Sequence, residues 1–388
     1  MSYDNQYNEY KKNPELYWSD KASLIDWYQK YENVLSKDEN GNFVWFKGGK
    51  LNTCYNCIDR HVKNGLGKKN AIIYDSPITS TKKFITYDDL LIEVSKLSSS
   101  LQSLGVSKGD RIILYMPMIP EVIVAMLACA RIGAIHSVVF GGFASQELAN
   151  RINDSTPKVV IAASCGLEPN KIINYKEILD EAISLSNHSP EHQIIFQRRQ
   201  LNVSLNKPGD QNWKDIIYDA KKFTECTELD SEDPLYILYT SGTTGVPKGI
   251  VRTNGGHAVA LHNSMKMTYD INQNDTFWAA SDVGWVVGHS YIVYAPLLLG
   301  CTTVLYEGKP VGTPDAGQFW RVISEHNVST MFTAPTAIRA IKKIDPLGSE
   351  IKKYNFKKFK YLFLAGERAD PETIKWSIDH LKIPVIDH

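Results

Sequence analysis

Short apolar runs alternate with amphipathic segments over most of this chain. After residue 70, runs such as RIILYM, AIHSVVF and KVVIAA are separated by segments whose apolar residues recur at helical spacing. One of these helices is predicted to begin at Pro120 and to end at Gly133, because proline suits the first helical turn and glycine suits the C-terminal cap. Strands this apolar, separated by helices, are typical of a parallel sheet that is covered on both faces.

The alternation is interrupted once, by a polar and turn-rich interval that ends near residue 230. It resumes with LYILYT and continues to a last strand, IPVID. We therefore predict an α/β fold with two parallel-sheet-based subdomains, residues 71–230 and 231–388, with helices on both faces of each sheet. Residues 1–70 are rich in aromatic side chains and show no clear period, so we expect an irregular N-terminal arm that packs on the larger unit.

Composition and charge exclude several classes of function. The chain has 388 residues, and its 43 basic residues balance 43 acidic ones, so no overall field favours nucleic acid or an anionic membrane. The uncharged segment from Val122 to Ala130 is too short to span a bilayer. The first twenty residues lack the apolar core of a signal peptide and the arginines of a transit peptide, which favours a cytoplasmic location and leaves the mitochondrial matrix open.

The cysteine residues give only a weak signal for metal binding. Cys54 and Cys57 form a C-x-x-C pair, but His61 is the one further ligand type nearby, whereas a zinc site needs four ligands. We interpret the six cysteines as ordinary reduced thiols.

The segment YTSGTTGVPKG, residues 239–249, carries the clearest functional signal. It follows a strand, its glycines allow the backbone to approach a ligand closely, and its hydroxyl groups and one lysine can bind an anion such as a triphosphate. The pattern is not that of a P-loop NTPase, because Pro247 precedes the lysine and a strand follows it. A glycine-rich hairpin turn is the structural alternative. The residues assigned to ATP in this loop are Thr240, Ser241, Gly242, Thr243, Thr244, Gly245 and Lys248.

This loop resembles the phosphate-loop signature of the adenylate-forming enzymes, which include acyl-CoA synthetases, luciferases and peptide-synthetase adenylation domains. Four more segments, SDVGWVVGHSYIVYAPLLLG, YEGKPVGTPD, TAPTAIRAI and VVFGGFASQELANRINDS, resemble the short-chain acyl-CoA synthetases. The segments AASCGLEPNKIINYKEILDEAI and LAGERADPETIKW are more similar to propionyl-CoA synthetases than to acetyl-CoA synthetases. The resemblance extends from about Tyr7 to His388.

The resemblance implies an ATP-dependent ligation of a short-chain carboxylate to CoA through an acyl-adenylate, with release of pyrophosphate and AMP. Propionate is the favoured acid and acetate is possible. ATP, Mg²⁺ and coenzyme A, the last as a substrate, are then required, and Thr240 and Lys248 take catalytic roles at the phosphates. The family's Mg²⁺-binding glutamate and its small C-terminal domain are expected beyond His388, so we assign no metal ligand here and expect a truncated chain with weak activity or none.

The resemblance also implies binding residues for the three substrates. The adenine slot is assigned to Gly366, Glu367 and Arg368, although a strand-to-helix turn with Asp370 as the N-cap explains the same segment. The acyl pocket is assigned to Val286, Val287 and Ala365, where core packing is the alternative for valine and alanine. Acetyl-specific relatives carry threonine and valine at the positions of Val287 and Ala365. The residues assigned to CoA are Gly141, Gly142, Lys171 and Ala334.

Two points limit these assignments. Glu168 stands where acetyl-CoA synthetases carry an arginine for the CoA phosphate, which leaves the position of the CoA nucleotide open. His289 is assigned no chemistry, since a lone histidine is more often structural.

The functions left open are a short-chain acyl-CoA ligase, a non-catalytic short form that binds nucleotide or acyl-CoA and, less favoured, a P-loop NTPase. The expected partners are small-molecule substrates, namely propionate or acetate, ATP and CoA, with no nucleic acid and no membrane span, and the sequence does not predict an oligomeric state.

Overall fold

The structure is a computed structural model that describes residues 3–220, 223–240 and 247–388. The described helices are α1 (Tyr3–Lys12), α2 (Pro14–Ala22), α3 (Thr53–Cys57), α4 (Asp59–His61), α5 (Tyr87–Ser103), α6 (Pro120–Ile132), α7 (Ser145–Ser155), α8 (Tyr175–Leu185), α9 (Trp213–Tyr218), α10 (Asn254–Met267), α11 (Val286–Gly288), α12 (Ala295–Leu299), α13 (Gln318–Glu325), α14 (Pro335–Ile344) and α15 (Pro371–Leu381). Wider helical turns occupy Val62–Leu66 and His289–Tyr294, and a tighter turn occupies Ile351–Lys353.

The described strands fall into two large sheets and several short pairs. They are β1 (Asn33–Lys37), β2 (Phe43–Lys47), β3 (Lys50–Leu51), β4 (Asn70–Ser76), β5 (Thr81–Thr86), β6 (Arg111–Tyr115), β7 (Ile135–Val138), β8 (Val159–Ala163), β9 (Cys165–Glu168), β10 (Lys171–Asn174), β11 (His192–Phe196), β12 (Asp210–Asn212), β13 (Leu229–Asp230), β14 (Pro234–Thr240), β15 (Lys248–Thr253), β16 (Thr276–Ala280), β17 (Thr302–Tyr306), β18 (Val328–Thr333), β19 (Tyr361–Leu364) and β20 (Val385–Asp387).

Each large sheet is parallel except for one antiparallel edge strand. The first sheet has the order β12-β11-β8-β6-β7-β14-β15, in which only β15 runs antiparallel to its neighbour. The second has the order β20-β19-β18-β16-β17-β4-β5, in which only β5 runs antiparallel. The central strands are buried along their whole length in β8, β17 and β18, which agrees with the apolar runs in the sequence.

Each large sheet contains two strands from the other side of the boundary that the sequence predicts near residue 230. Strands β4 and β5 come early in the chain but belong to the second sheet, where β4 pairs with β17. Strands β14 and β15 come after the boundary but belong to the first sheet, where Tyr236 of β14 pairs with His136 of β7. The division of the strands between the two sheets therefore does not follow that boundary, because strand pairing is decided by contacts between residues far apart in sequence.

The N-terminal arm, which was expected to be irregular, contains helices α1 and α2 and the hairpin β1–β2. Asn13 caps α2 by accepting a hydrogen bond from the Leu16 amide at 3.0 Å, and Pro14 occupies the first turn. Asp38 closes the hairpin, since its Oδ1 accepts from the amides of Asn40 and Asn42. The closely spaced aromatic residues concealed these local signals in the sequence.

Helix α6 begins and ends as its sequence predicts. Pro120 occupies the first turn, and Gly133 follows the last residue with a φ of +74°, in the left-handed region where glycine costs little. Every residue from Val122 to Ile132 is buried, and the helix packs against α3 and α5. None of the described helices has both the length and the apolar content needed to cross a membrane.

An ion pair is buried at the C-terminal end of α6. The Arg131 guanidinium donates two hydrogen bonds to the Asp59 carboxylate, both at 2.8 Å, and both side chains are buried. Arg131 also donates to the carbonyl of Thr224, and its own carbonyl accepts from the Thr227 amide at 2.9 Å. The pair thus connects α4, α6 and the segment that leads into β13 and β14.

Replacing Asp59 with alanine is expected to destabilise the fold strongly. The substitution leaves the Arg131 guanidinium buried without its counterion, and breaking one side of such a pair costs about 3–5 kcal/mol. Chemical denaturation followed by circular dichroism measures the loss. Asp379→Ala, which removes the exposed partner of Lys375 in α15, is the matched control and should leave the midpoint nearly unchanged. Equal midpoints for the two variants would contradict the expectation.

Candidate functional site

A narrow cleft of about 110 Å³ lies where the two sheets present the carboxyl ends of their strands. Ligands of open parallel sheets bind beyond these ends, because the loops there are free to vary while the strands hold them in place. We call this cavity the sheet cleft. Its lining includes Pro117 and Met118 after β6, Phe140, Gly141 and Gly142 after β7, Asp282 after β16, and Glu307, Gly308 and Lys309 after β17, together with Glu168 of β9.

The predicted phosphate loop connects β14 with β15 at the same edge of the first sheet. Strand β14 runs parallel to its neighbour β7. The loop after β14 therefore lies at the same edge of the sheet as Gly141 and Gly142, which follow β7. Thr240 and Lys248 lie directly opposite each other across the antiparallel pair, and both are exposed. Ser241, Gly242, Thr243, Thr244 and Gly245 lie outside the described residues.

Helix α7 supports the base of this hairpin. The hydroxyl of Tyr239 donates to Asp154 Oδ2 at 2.5 Å, and the Arg151 guanidinium lies 5.4 Å from the centre of the Tyr239 ring. The base is thereby fixed while Thr240 and Lys248 remain open to solvent. Its geometry suits both the hairpin-turn and the phosphate-loop interpretations.

Gly141 and Gly142, two of the residues assigned to CoA, line the sheet cleft. Lys171 and Ala334 are not among the described residues that line it. A Cβ atom on Gly141 would lie 2.0 Å from the Tyr175 hydroxyl, and one on Gly142 would lie 2.4 Å from the Phe140 ring. A larger residue at either position would therefore force the Tyr175 or the Phe140 side chain to move. Lys171 is exposed in the β9–β10 hairpin, where it pairs with Glu168, and Ala334 is the residue before α14.

The segment assigned to the adenine slot is an exposed turn between β19 and α15. Gly366 has a φ of +97°, and a Cβ there would meet open space, so backbone conformation rather than crowding favours glycine. Glu367 accepts hydrogen bonds from the Thr336 amide at 2.9 Å and from Arg339. Arg368 is exposed.

The helix-cap interpretation of the same segment is confirmed. Asp370 is the N-cap of α15 and accepts from the Thr373 amide at 2.8 Å, with Pro371 in the first turn. The adenine assignment of Gly366, Glu367 and Arg368 stays a prediction beside it.

The three residues assigned to the acyl pocket do not share one described cavity. Val286 is 47% exposed and lines a cavity of about 460 Å³ between β15, α10 and the arm, in which Trp18 and Trp45 also take part. Val287 and Ala365 are partly buried against the hydrophobic core and are not among the described lining of that cavity. Their common role in acyl binding stays a prediction.

Two acidic residues of the sheet cleft were not identified from the sequence. Burial raises the pKa of Asp282 to about 6, although a hydrogen bond from the Gly284 amide at 2.7 Å and the charge of Lys309 oppose the shift. Glu307 is buried and accepts from the hydroxyls of Tyr74 and Ser76. The available signal was their position within two residues of the ends of β16 and β17, which places them at the carboxyl edge of a parallel sheet.

His289 lies in a buried group of rings. Its ring centre is 5.7 Å from that of His136 and 4.8 Å from that of Tyr236, and its Nδ1 is 3.1 Å from the Trp285 carbonyl oxygen. Burial lowers the pKa of His289 to about 4, so the ring is neutral near pH 7. This environment explains the residue as part of the core.

Two groups of possible metal ligands occur among the described residues, and neither suits Mg²⁺. Cys54, Asp59 and Cys226 form one, but thiols are poor Mg²⁺ ligands and Arg131 already neutralises the carboxylate. The other consists of Asp75, Glu325 and His326, where Arg321 binds both carboxylate oxygens of Asp75.

Comparison with known proteins identifies the family. The profile described as "AMP-binding enzyme" matches residues 59–388, and the profile described as "Acetyl-coenzyme A synthetase N-terminus" matches residues 3–57. The chain belongs to the family of AMP-binding enzymes. The resemblance to short-chain acyl-CoA synthetases that the sequence motifs indicated is therefore confirmed.

Three curated relatives show how far the similarity extends. The human "Acyl-CoA synthetase short-chain family member 3, mitochondrial" is 51% identical over 376 residues, which are 97% of this chain and 55% of the relative. An uncharacterized protein of Pseudomonas aeruginosa is 50% identical over 388 residues, or 62% of its length. The "Propionate--CoA ligase" of Escherichia coli is 42% identical, and the matched residues make up 61% of its length. The chain thus spans somewhat more than half the length of these relatives.

The fold agrees with a solved structure of low sequence identity. The acetoacetyl-CoA synthetase of Streptomyces lividans superposes with a TM-score of 0.87 at 22% identity, over 96% of this chain and 57% of that protein. At this identity the likeness concerns the fold alone. The predicted α/β class with two sheets of mainly parallel strands is confirmed.

Replacing Asp282 with asparagine is expected to stabilise the protein at neutral pH but not in acid. The folded state raises the pKa of this carboxyl from 3.8 to about 6, so ionisation costs stability as the pH rises through that interval. Asparagine removes the charge and can still accept from Gly284. We expect a gain of about 1–2 kcal/mol at about pH 7.5 and none at about pH 4, measured by thermal unfolding. An equal change at both pH values would contradict the assignment, and Asp379→Asn, at an exposed site, is the control.

Proposed function

We propose that this chain binds ATP and a short-chain carboxylate and contributes to an AMP-forming acyl-CoA ligase. Membership of the AMP-binding family supports ATP-dependent acyl transfer, and the human and Escherichia coli relatives are an acyl-CoA synthetase and a propionate–CoA ligase by their printed names. Because the chain spans 55–62% of the curated relatives, the full reaction is part of the proposal.

The observation that carries the proposal is the position of Thr240 and Lys248. They face each other at the base of a loop on the carboxyl edge of the first sheet, one strand away from the loop that lines the sheet cleft. A lysine and a threonine hydroxyl in this position can hold the polyphosphate of ATP while a carboxylate attacks the α-phosphate. Adenylate formation needs positioning and charge neutralisation rather than a protein nucleophile.

In the proposed reaction the carboxylate oxygen displaces pyrophosphate, and the CoA thiol then displaces AMP from the acyl carbon. Mg²⁺ supplies further neutralisation of the phosphates when it accompanies ATP. Lys248 neutralises charge on the phosphates, and the loop residues from Ser241 to Gly245 are proposed to donate hydrogen bonds to them. Gly366, Glu367 and Arg368 are proposed to face the adenine base.

We further propose that propionate is preferred over acetate. The printed name of the Escherichia coli relative, a propionate–CoA ligase, and the small side chain of Ala365 support this preference. Val286 and Val287 are proposed as further walls of the acyl pocket. The proposed location is the cytoplasm, with the mitochondrial matrix as the alternative that the printed name of the human relative supports.

Replacing Lys248 with alanine is expected to lower the adenylation rate about 10–100-fold, since an interaction with the transferring phosphates is lost. The KM for propionate should change by less than about threefold, because the acyl group does not contact this lysine. The assay is propionate-dependent exchange of pyrophosphate into ATP, by this chain or by a longer product of its gene. Lys360→Ala, at the amino-terminal end of β19, is the control.

Other outcomes of this assay would favour other functions. An unchanged exchange rate in Lys248→Ala would remove this residue from the site. ATP binding without exchange in any natural form would favour a non-catalytic short form. ATP hydrolysis that needs no carboxylate would instead favour an NTPase.

Replacing Ala365 with valine is expected to shift the acid preference toward acetate. Valine adds two methyl-sized groups and leaves less room for the methylene by which propionate exceeds acetate. One such methylene in an apolar pocket is worth about 1–3 kcal/mol, so the ratio of kcat/KM for propionate to that for acetate should fall about tenfold or more. Ala337→Val, in α14 and partly buried against a hydrophobic cluster that includes Trp320 and Ile338, is the control for a general packing effect. An unchanged ratio would place Ala365 outside the acyl pocket.

A further inference from the structure

The cavity of about 460 Å³ between the N-terminal arm, β15 and α10 has no role in the proposed reaction. We call it the arm cavity. Its volume lies in the range of about 300–1,000 Å³ that is typical of sites for small organic molecules. Of the residues assigned to ATP, the acyl group or CoA, only Val286 is among its described lining residues. A ligand in this cavity would therefore be a molecule that the assigned site does not account for.

Aromatic and aliphatic side chains form most of the wall of the arm cavity. Trp18 of α2 and Trp45 of β2 meet there edge to face, with ring centres 5.9 Å apart. Val259 of α10 is buried beside them. On the open side, Val251 and Val286 are both large apolar residues with exposed side chains. The apolar part of a ligand would cover this surface and remove it from water.

Polar side chains of the arm cavity gather around the hydroxyl group of Tyr236. Arg252 is the direct cross-strand partner of Tyr236, so the two side chains lie on the same face of the sheet. Burial raises the pKa of Tyr236, whereas the charge of Arg252 and polar contacts from Ser290 and Arg252 oppose the rise. His257 Nε2 lies 3.3 Å from the same hydroxyl oxygen. The cavity thus has one polar side and a mainly apolar remainder.

Arg252 supplies the one formal charge among the described residues that line the arm cavity. No aspartate, glutamate or lysine is among them, and burial lowers the pKa of His257 to about 3, which keeps that ring neutral near pH 7. A guanidinium balances one negative charge, and a planar carboxylate can accept two of its hydrogen bonds. A phosphate dianion would leave one charge unpaired beside apolar walls, which is costly. The charge therefore favours a monocarboxylate.

The arm cavity lies apart from the predicted phosphate loop. Arg252 is four residues beyond Lys248 on β15, which corresponds to about 13 Å along a strand. Reacting atoms need to approach within about 3–3.5 Å of each other. A carboxylate on Arg252 is thus too far from phosphates at Lys248 to attack them, and it would be a second acid rather than the one proposed to react.

We propose that the arm cavity binds a medium-chain monocarboxylate such as octanoate, with its carboxylate on Arg252 and its alkyl chain between the arm tryptophans and α10. The hydroxyls of Tyr236 and Ser290 offer further hydrogen bonds to the carboxylate. Propionate would leave most of the wall uncovered, whereas each further methylene adds apolar contact until the cavity is filled. Because the tryptophans belong to the arm and Arg252 to β15, the bound acid would connect the arm to the first sheet.

Isothermal titration of the 388-residue chain with straight-chain carboxylates tests this site. The affinity should rise about three- to fourfold with each methylene from butanoate to octanoate, as apolar surface is buried. Arg252→Ala should weaken octanoate binding about 5–10-fold, because a charge-assisted hydrogen bond is lost. Arg199→Ala removes another exposed arginine, from the turn after β11, and should leave the affinity unchanged. Thermal unfolding of each variant checks that it is folded.

Further comparisons separate the charge from the apolar wall and the arm cavity from the assigned acyl pocket. Octanol, which is uncharged, should bind the wild type and Arg252→Ala equally. Ala260→Leu enlarges an exposed lining residue of α10, and it should weaken the binding of octanoate and octanol about tenfold because it occupies the space of the chain. Ala365→Val narrows the assigned acyl pocket instead and should leave octanoate binding unchanged.

Four results would each overturn the inference. They are no binding of octanoate to the wild type, equal octanoate affinities in the wild type and Arg252→Ala, unaltered binding in Ala260→Leu, and weaker octanoate binding in Ala365→Val, which would place the acid in the acyl pocket. The titrations contain no ATP and do not depend on ligase activity. A failure of propionate-dependent pyrophosphate exchange therefore bears on the proposed function alone.

Discussion

The buried ion pair between Arg131 and Asp59 is the interaction on which the site most depends. A guanidinium near the end of a helix that is buried from Val122 to Ile132 is tolerated only because a carboxylate accepts two of its hydrogen bonds. The Asn52 side-chain amide adds to the same contacts, since it donates to the carbonyls of Ala130, Arg131 and Thr227. It therefore fixes the end of the arm, helix α6 and the segment that leads to β14, whose carboxyl end begins the proposed phosphate loop.

Acidic and basic side chains occupy different parts of the site, and this difference follows from how deeply each is buried. Acidic groups lie inside the sheet cleft, where Arg198 neutralises Glu307 and burial favours the protonated form of Asp282. The lysines Lys248 and Lys309 stand at exposed positions, where the ammonium groups keep their hydration. Because these two lysines come from different sheets, the arrangement exists only when both sheets are packed together.

Local signals in the sequence were sufficient for most of the elements but not for their partners. Pro120 and Gly133 delimit α6, and Asp370 caps α15, because these effects involve residues only a few positions apart. The pairing of β4 with β17 and of β14 with β7 depends on contacts between distant segments, which periodicity does not encode. The same reason explains the site: a hairpin makes Thr240 and Lys248 neighbours, whereas the pair of Glu168 and Lys309 needs the tertiary fold.

The edge strand β15 has a consequence for the behaviour of the chain in solution. It is the last strand of the first sheet, it is exposed over nearly its whole length, and Ile250 and Val251 are 41% and 52% exposed. An edge with unpaired amide and carbonyl groups and apolar side chains is a template for adding another strand. At high concentration, this polypeptide alone is therefore expected to self-associate along β15 and to lose solubility, unless a further strand or a charged cover occupies that edge.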